Sequence, residues 1–311
     1  MADQNQVPLF ERFIFFIEYL LTRLVSAILN LLPFSLALGF ARPVGFLMFS
    51  LSKRPKRMAL ENLREAYRSE KSESEIKNIA CGSFQHLAEF GIEWLRMPKI
   101  IQDPHRYLTI NHVEKIRVAL RQKKGAFMLV SHNGNWEIMA LNAGLLIAKA
   151  LGTSIYALAR PLQNPFLYDY AVRLRGGMGL KTIDKSGGVR EAFNRLKENE
   201  IVCALVDQRI SEGSIETNFF GRSALTTSLP AIAALRFGTP VFFLFLHRTK
   251  DQRFVLNVEG PVPIEKTGNV HRDIRVNTQK FLDRIEAEIR KDPARWLWMH
   301  NRWRPEHGAK D

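Results

Sequence analysis

The segment VSHNGNWEIM, residues 130–139, contains the side chains of this chain best suited to acid–base chemistry. His132 follows the apolar run GAFML, which predicts a buried strand, and Glu137 lies at the start of a stretch with helical spacing. Asn133 and Gly134 predict a tight turn between them, so that the carboxylate can reach back to the imidazole. A carboxylate on one ring nitrogen fixes the tautomer and leaves the other nitrogen to take a proton from a hydroxyl. We therefore predict His132 as a general base and Glu137 as the residue that orients it.

A structural interpretation of the same residues stays open. Gly134 would cap the helix, Glu137 would favour the positive end of the helix dipole, and His132 would be a hydrogen-bonded residue of the turn. By spacing alone, this interpretation is the more common one. The spacing is not His-Glu-x-x-His, the pattern of zinc-binding helices, so we expect neither a metal nor a cofactor at this site.

Further candidate residues follow other predicted strands. Arg160 ends the strand SIYALA and Asp207 ends IVCALV, and open α/β sheets bind ligands at the carboxyl ends of their strands. The guanidinium of Arg160 could clamp a phosphate, or form a surface ion pair. Asp207 could steady Arg160, bind an acceptor, or cap a turn. We predict these two residues, together with Asn135 and Gly221, as the substrate-binding set; Gly221 is expected to adopt a backbone conformation that a side chain would block.

The elements that must position these residues alternate from Gly125 onwards. The strands predicted there are AFMLVS, SIYALA, IVCALV, PVFFLFL and FVLNVEG, and the helices predicted there are residues 135–149, 165–175, 187–198, 227–237 and 271–291. Residues 56–67 and 74–97 are predicted as helices before this region. The alternation predicts an α/β fold with a mostly parallel central sheet flanked by helices.

The N-terminal region predicts attachment to a membrane. FIFFIEYLLTRLVSAILNLL, residues 13–32, has the length of a membrane span but contains Glu18 and Arg23, and a second apolar block at residues 34–51 precedes the basic cluster KRPKR. We predict a membrane-associated helical segment at residues 1–52, and a catalytic domain at residues 53–311 with a helical lead-in at 53–110 and an α/β core at 111–311. A buried helical hairpin beside a solvated run of charges is the alternative.

The charge balance indicates an anionic partner. Forty-five Lys and Arg against 31 Asp and Glu give a net charge of +14, which suits a membrane surface, a nucleic acid or a phosphorylated substrate. No nucleic-acid recognition motif accompanies the charge, so we expect no nucleic-acid partner. A basic cluster beside an apolar segment is attracted to anionic lipids and favours the cytoplasmic side of a membrane. We therefore expect anionic inner-membrane lipids as partners and a catalytic domain that faces the cytoplasm.

A run of motifs resembles one known family. SHNGNWE, ARPLQNPFLYDYAVRLRGGMGLKTID, VDQR, NFFGRSALTTSLPAIAAL and WLWMHNRWR occur in order along the chain. Together they resemble the bacterial lipid A late acyltransferases, the lauroyl and myristoyl transferases, over roughly residues 15 to 305. Arg209, after Asp-Gln, departs from the residue that many members have there.

The resemblance implies the reaction. It implies transfer of a fatty acyl chain from an acyl carrier protein thioester to a hydroxyl of a lipid A precursor, with His132 as the base. Backbone N–H groups at the helix start near Gly134 are expected to stabilise the tetrahedral intermediate. One alternative is an acyl-coenzyme A donor with another glycolipid or an aminolipid as acceptor. Another is a catalytically silent membrane-binding protein with the same fold.

Overall fold

A seven-stranded sheet forms the centre of the protein, whose computed structural model describes residues 8–159, 162–177, 179–184, 188–210 and 213–303. The strands are β1 Leu108–Asn111, β2 Ala126–Val130, β3 Ile155–Ala159, β4 Leu180–Asp184, β5 Ile201–Leu205, β6 Ser214–Phe219, β7 Arg222–Thr227, β8 Val241–Arg248 and β9 Phe254–Glu259. The sheet order is β1-β9-β8-β2-β5-β3-β4, and β6 and β7 form a separate hairpin. Within the described sheet, β8 and β9 are the antiparallel neighbours and the other pairs are parallel. The predicted α/β fold with a mostly parallel sheet is confirmed.

Helices cover both faces of this sheet, as the strand sequences require. All five residues of β2 are buried, because a central parallel strand has a packed layer on each side. Side chains alternate along the strand, so that Phe127 and Leu129 join one apolar cluster while Met128 and Val130 join the other. The continuous apolar run therefore fills two separate cores.

The helices agree with most of the sequence-based expectations. They are α1 Leu9–Leu31, α2 Phe34–Gly39, α3 Ala41–Leu51, α4 Lys53–Tyr67, α5 Glu73–Leu95, α6 Met97–Gln102, α7 Pro104–Tyr107, α8 Glu114–Leu120, α9 Trp136–Asn142, α10 Lys149–Leu151, α11 Pro165–Gly177, α12 Gly188–Lys197, α13 Leu229–Phe237 and α14 Val270–Lys291. The helix predicted at residues 135–149 contains a π-helical stretch, Ala143–Ala148, between α9 and α10. The strands β1, β4, β6 and β7 were not predicted; β1 is four residues long and has one buried side chain, too few for a hydrophobic pattern.

Helix α1 presents an apolar surface to solvent and a polar face to the rest of the protein. Leu9–Leu31 and Phe34–Leu51 are long and apolar enough to cross a membrane, by length and composition. Ser26 on α1 donates to the carbonyl of Leu95 at 2.5 Å, and Asn164 donates to the Glu18 carboxylate at 3.0 Å. At the end of α1, the buried guanidinium of Arg96 donates to the carbonyls of Leu29 and Leu32. The helix is thus fixed to the rest of the described protein along most of its length.

Helix α3 packs closely against α5, and Gly45 makes this approach possible. A Cβ atom added at Gly45 would lie 2.2 Å from the Cα atom of Gln85 and 2.8 Å from the carbonyl oxygen of Phe84. These are backbone atoms, so a side chain at residue 45 would have to push the two helices apart. Helix α3 therefore belongs to the packed structure.

Gly45→Ala is predicted to destabilise the protein. Overpacking of this kind costs about 1–3 kcal/mol, because the neighbouring backbone must move. Gly39→Ala, at the end of α2, is the matched control, since nothing lies within 4 Å of its added Cβ. Thermal unfolding of both variants in the same detergent is the measurement. Equal melting temperatures for the two variants would contradict the close packing of α3 on α5.

Candidate active site

His132 and Asp207 are brought together by the register of two parallel strands. Val130 on β2 pairs with Leu205 on β5, so that each functional residue lies two positions beyond a matched pair. The Nδ1 atom of His132 lies 2.8 Å from Oδ1 of Asp207, and the His132 backbone N–H donates to Oδ2 at 2.7 Å. The site is therefore at the carboxyl edge of the sheet, where open α/β sheets bind ligands.

The carboxylate of Asp207 is fully buried, and both of its oxygens have hydrogen-bond partners. The indole Nε1 of Trp296 donates to Oδ2 at 2.7 Å, in addition to the two bonds from His132. Burial by itself raises the pKa of Asp207, but the charge of His132 and these hydrogen bonds outweigh it, so that the net pKa is below its ordinary value. Asp207 is thus ionised at neutral pH and acts as an acceptor towards the imidazole.

The imidazole of His132 is held in one orientation. Its side chain is 12% exposed, and its ring meets the edge of Trp136 with centroids 4.8 Å apart. The ring of Phe90 stacks on that of Trp136, with ring centroids 4.2 Å apart. Because Nδ1 faces an acceptor, the proton is on Nδ1 in the neutral ring, and Nε2, which has no hydrogen bond within the described residues, is left to take a proton. This arrangement can act as a general base on a hydroxyl.

Glu137 makes a different contact from the one predicted. Its carboxylate accepts two bonds from the guanidinium of Arg175 on α11, at 3.2 Å from Nε and 2.5 Å from a terminal nitrogen. Both side chains are largely buried. Among the described residues, the orienting contact on His132 comes from Asp207 and none comes from Glu137. The catalytic role predicted for Glu137 stays a prediction, and Arg175 is a neighbour that the sequence spacing did not single out.

The turn after β2 uses groups that were expected to face the substrate. Gly134 has a φ of 79°, in the region that favours glycine, and its N–H donates to the carbonyl of Arg295 at 3.1 Å. The Asn135 side chain caps α9 by accepting from the N–H groups of Glu137 and Ile138. The Gly134 N–H is therefore already bonded within the protein, and stabilisation of the tetrahedral intermediate by other backbone N–H groups at this helix start stays a prediction. Substrate binding by Asn135, which is 2% exposed, stays a prediction.

The C-terminal tryptophans contribute to the site as well as to the core. Trp296 and Trp298 are buried, and the indole N–H of Trp296 bonds to Asp207, a contact that the sequence did not indicate. Arg302 is also buried, and it donates to the carbonyl of Leu225 and the hydroxyl of Thr226. The sequence signal was the clustering of aromatic residues, which does not reveal the partner of an indole N–H.

Arg160 and Gly221 complete the set of residues predicted to bind substrate. Arg160 is outside the described residues, so its role stays a prediction. Gly221 lies in the two-residue turn between β6 and β7, where Phe220 has a φ of 52° and Gly221 a φ of 71°. This is the geometry of a tight hairpin turn, and the expected glycine conformation is confirmed. Substrate binding by Gly221 stays a prediction.

Comparisons with known proteins relate the chain to a family of acyltransferases. The family model of the bacterial lipid A biosynthesis acyltransferases matches residues 8–305. The chain is 26% identical to a phosphatidylinositol mannoside acyltransferase of Mycobacterium tuberculosis over 235 residues, 72% of this chain and 70% of the relative. It is 24% identical to the enzyme of the same name from Mycolicibacterium smegmatis over 200 residues, 63% of this chain and 62% of the relative.

Replacement of the buried carboxylate is predicted to cost stability in a pH-dependent way. Asp207→Asn leaves the donors of His132 and Trp296 without a charged acceptor, a loss of about 3 kcal/mol for a broken buried pair. The folded-state pKa of Asp207 is lowered, so the stabilisation is present above the unfolded-state value of about 4 and is lost as pH falls through the folded-state value.

Urea unfolding between about pH 7 and pH 3.5 measures this difference. The gap between wild type and Asp207→Asn is expected to be largest at neutral pH and to shrink in acid. Asp103→Asn, an exposed carboxylate, is the control and should show no such gap. A gap for Asp207→Asn that is constant with pH would argue against an ionised Asp207.

Proposed function

Because the chain belongs to the bacterial lipid A biosynthesis acyltransferase family, we propose that it transfers a fatty acyl chain from an acyl carrier protein thioester to a hydroxyl of a lipid A precursor. The observation that carries the proposal is the buried contact between Asp207 and Nδ1 of His132, with Nε2 left for the substrate. Asp207 takes the orienting role that sequence spacing had suggested for Glu137. Glu137 is retained as a catalytic residue that acts together with Arg175.

The proposed reaction is a direct transfer between the two substrates. Nε2 of His132 removes the proton of the acceptor hydroxyl as its oxygen attacks the thioester carbonyl. The tetrahedral intermediate then collapses with cleavage of the carbon–sulfur bond, and the imidazolium returns its proton to the leaving thiolate. Asp207 stabilises the imidazolium between the two steps, in the manner of an orienting carboxylate beside a catalytic histidine. A thiolate leaves readily, so the chain's own residues suffice for the proton transfers.

A second acceptor is favoured by the relatives. Two of them are named for acylation of phosphatidylinositol mannosides, which are glycolipids. The alternative function is therefore acyl transfer from acyl-coenzyme A to a mannosylated phospholipid by the same His132 chemistry. Purified protein assayed with each donor and each acceptor separates the two functions. Mass spectrometry of glycolipids from a strain without the protein would show which lipid lacks one acyl chain.

We further infer that α1 to α3 attach the enzyme to an anionic inner membrane, with the catalytic part on the cytoplasmic side. The exposed apolar side chains on these helices include Phe10, Phe13, Ile17, Leu21, Leu24, Ile28, Leu36, Phe46, Leu47 and Leu51. A surface of this kind marks a membrane or protein contact, and the basic cluster at the start of α4 favours lipid.

The contacts of α1 favour a helix that lies in the membrane surface. Its 23 residues span about 34 Å, and its polar bonds to α5, α6 and α11 extend from Phe15 to Leu32. If α1 crossed the bilayer, its polar partners would have to enter the hydrocarbon with it or separate from it. Each polar group left without a partner there costs several kcal/mol, on the order of 2–7. A helix with one polar and one apolar face lies at the interface at lower cost.

His132→Ala is predicted to abolish most acyl transfer without unfolding the protein. Loss of a general base costs about 10² to 10⁴ in rate. Initial rates with the preferred donor and acceptor are the measurement, and His271→Ala, an exposed histidine on α14, is the control. Near-normal turnover by folded His132→Ala would reject the mechanism and favour a silent membrane-binding protein.

Neutralisation of the basic cluster is predicted to weaken membrane binding. Each of Lys53, Arg54, Lys56 and Arg57 changed to Gln should remove about 1 kcal/mol of attraction to anionic lipid at low salt. Sedimentation with phosphatidylglycerol vesicles measures the loss, which should shrink as salt is raised. The control changes the exposed cluster Arg121, Lys123 and Lys124. Equal binding by the two variants would contradict a specific role for the cluster.

A further inference from the structure

A buried carboxylate on α5 bonds directly to the turn that follows His132. Glu93 has no exposed surface, and its Oε2 accepts from Nδ2 of Asn135 at 2.6 Å. A buried charge is costly unless it is paired, and the pair here is the guanidinium of Arg248, which contacts the other carboxylate oxygen of Glu93. Arg248 is itself 6% exposed and lies over the ring of Phe254. Glu93 is therefore paired with Arg248 through one carboxylate oxygen and bonded to Asn135 through the other.

The charge on Glu93 determines which way the Asn135 amide points. An ionised carboxylate only accepts hydrogen bonds, so it requires the NH₂ group of Asn135 to face it. The amide oxygen then faces the opposite way, where it accepts from the N–H groups of Glu137 at 3.1 Å and Ile138 at 3.0 Å. Asn135 is 2% exposed, so bulk solvent has little access to either side of the amide. The ion pair thus holds the cap of α9 in its working orientation.

The start of α9 places one residue that touches the His132 ring and one that pairs with Arg175. Trp136, the first residue of α9, meets the imidazole of His132 edge to face, and Glu137 follows with its bonds to Arg175. A shift of the first turn would move both contacts. Displacement of catalytic groups by about 1 Å can cost about a hundredfold in rate, because attack requires close alignment.

We propose that Glu93 is a positioning residue of this active site: held by Arg248, it fixes the Asn135 amide, and through the cap of α9 it sets the place of Trp136 against His132. The kinetic part of this role rests on the proposed acyl transfer, whereas its structural part does not.

The test replaces the whole ion pair with apolar side chains of similar size. Such replacements of buried pairs are commonly neutral or stabilising, so Glu93→Leu/Arg248→Met should fold, with a melting temperature lowered only by the unpaired NH₂ group of Asn135. Asn135 loses its acceptor in this variant. We expect kcat to fall about 10- to 100-fold while KM for each substrate changes about threefold or less, because binding surfaces are unchanged. Glu89→Gln is the matched control, since Glu89 lies 4.0 Å from Arg248, one turn before Glu93 on α5.

Two further measurements separate positioning from stability alone. Hydrogen exchange at the Glu137 and Ile138 amides should be faster in Glu93→Leu/Arg248→Met than in wild type or Glu89→Gln. In an Asn135→Ala background, the pair replacement should leave kcat at the Asn135→Ala value, because Glu93 acts through Asn135.

The outcomes distinguish this proposal from the proposed function. Wild-type kcat in a stable Glu93→Leu/Arg248→Met variant, or unchanged exchange at the two amides, would show that Glu93 is a structural ion-pair partner and would overturn the proposal. Full activity of His132→Ala together with faster exchange would reject the acyl-transfer mechanism but keep the role of Glu93 in fixing α9.

Discussion

The parallel pairing of β2 and β5 is the constraint on which the rest of the site depends. It sets Val130 opposite Leu205 and thereby places His132 and Asp207 at equal heights beyond the sheet edge, with Nδ1 and Oδ1 2.8 Å apart. A slip of one residue between the two strands would turn one of these two side chains to the opposite face, away from the other. The strands resist such a slip because β2 is buried on both faces and its alternate residues fill two different cores.

The buried charges of the site come with partners from distant parts of the chain. Asp207 has the indole of Trp296, 89 residues away, and Glu93 has Asn135, 42 residues away. A buried polar group without a partner costs about 1–3 kcal/mol, so these bonds link correct folding of α5 and of the C-terminal segment to the geometry of the catalytic turn. Stability and catalytic alignment therefore share the same hydrogen bonds here.

The N-terminal helices extend this coupling towards the proposed membrane surface. Asn164 caps α11, the helix that carries Arg175, and the same side chain donates to Phe15 and Glu18 of α1. Arg23 of α1 also lies over the ring of Tyr170, 4.6 Å from its centroid. The apolar helix that is proposed to contact the membrane is thus bonded to the helix that supplies the partner of Glu137.

The sequence by itself determined the α/β class, the mostly parallel sheet and His132 as the candidate base, because hydrophobic periodicity and turn residues are local signals. It also predicted the special conformation of Gly221, which the hairpin turn requires. It did not predict β1 or the β6–β7 hairpin, since short or half-exposed strands have no clear periodicity. Only the tertiary structure decided that Asp207, not Glu137, bonds to His132, that Glu137 pairs with Arg175, and that Gly134 donates to Arg295. These partners are 38 to 161 residues apart in the sequence. Strand order and helix packing bring them together, so no local spacing of residues can predict the contacts.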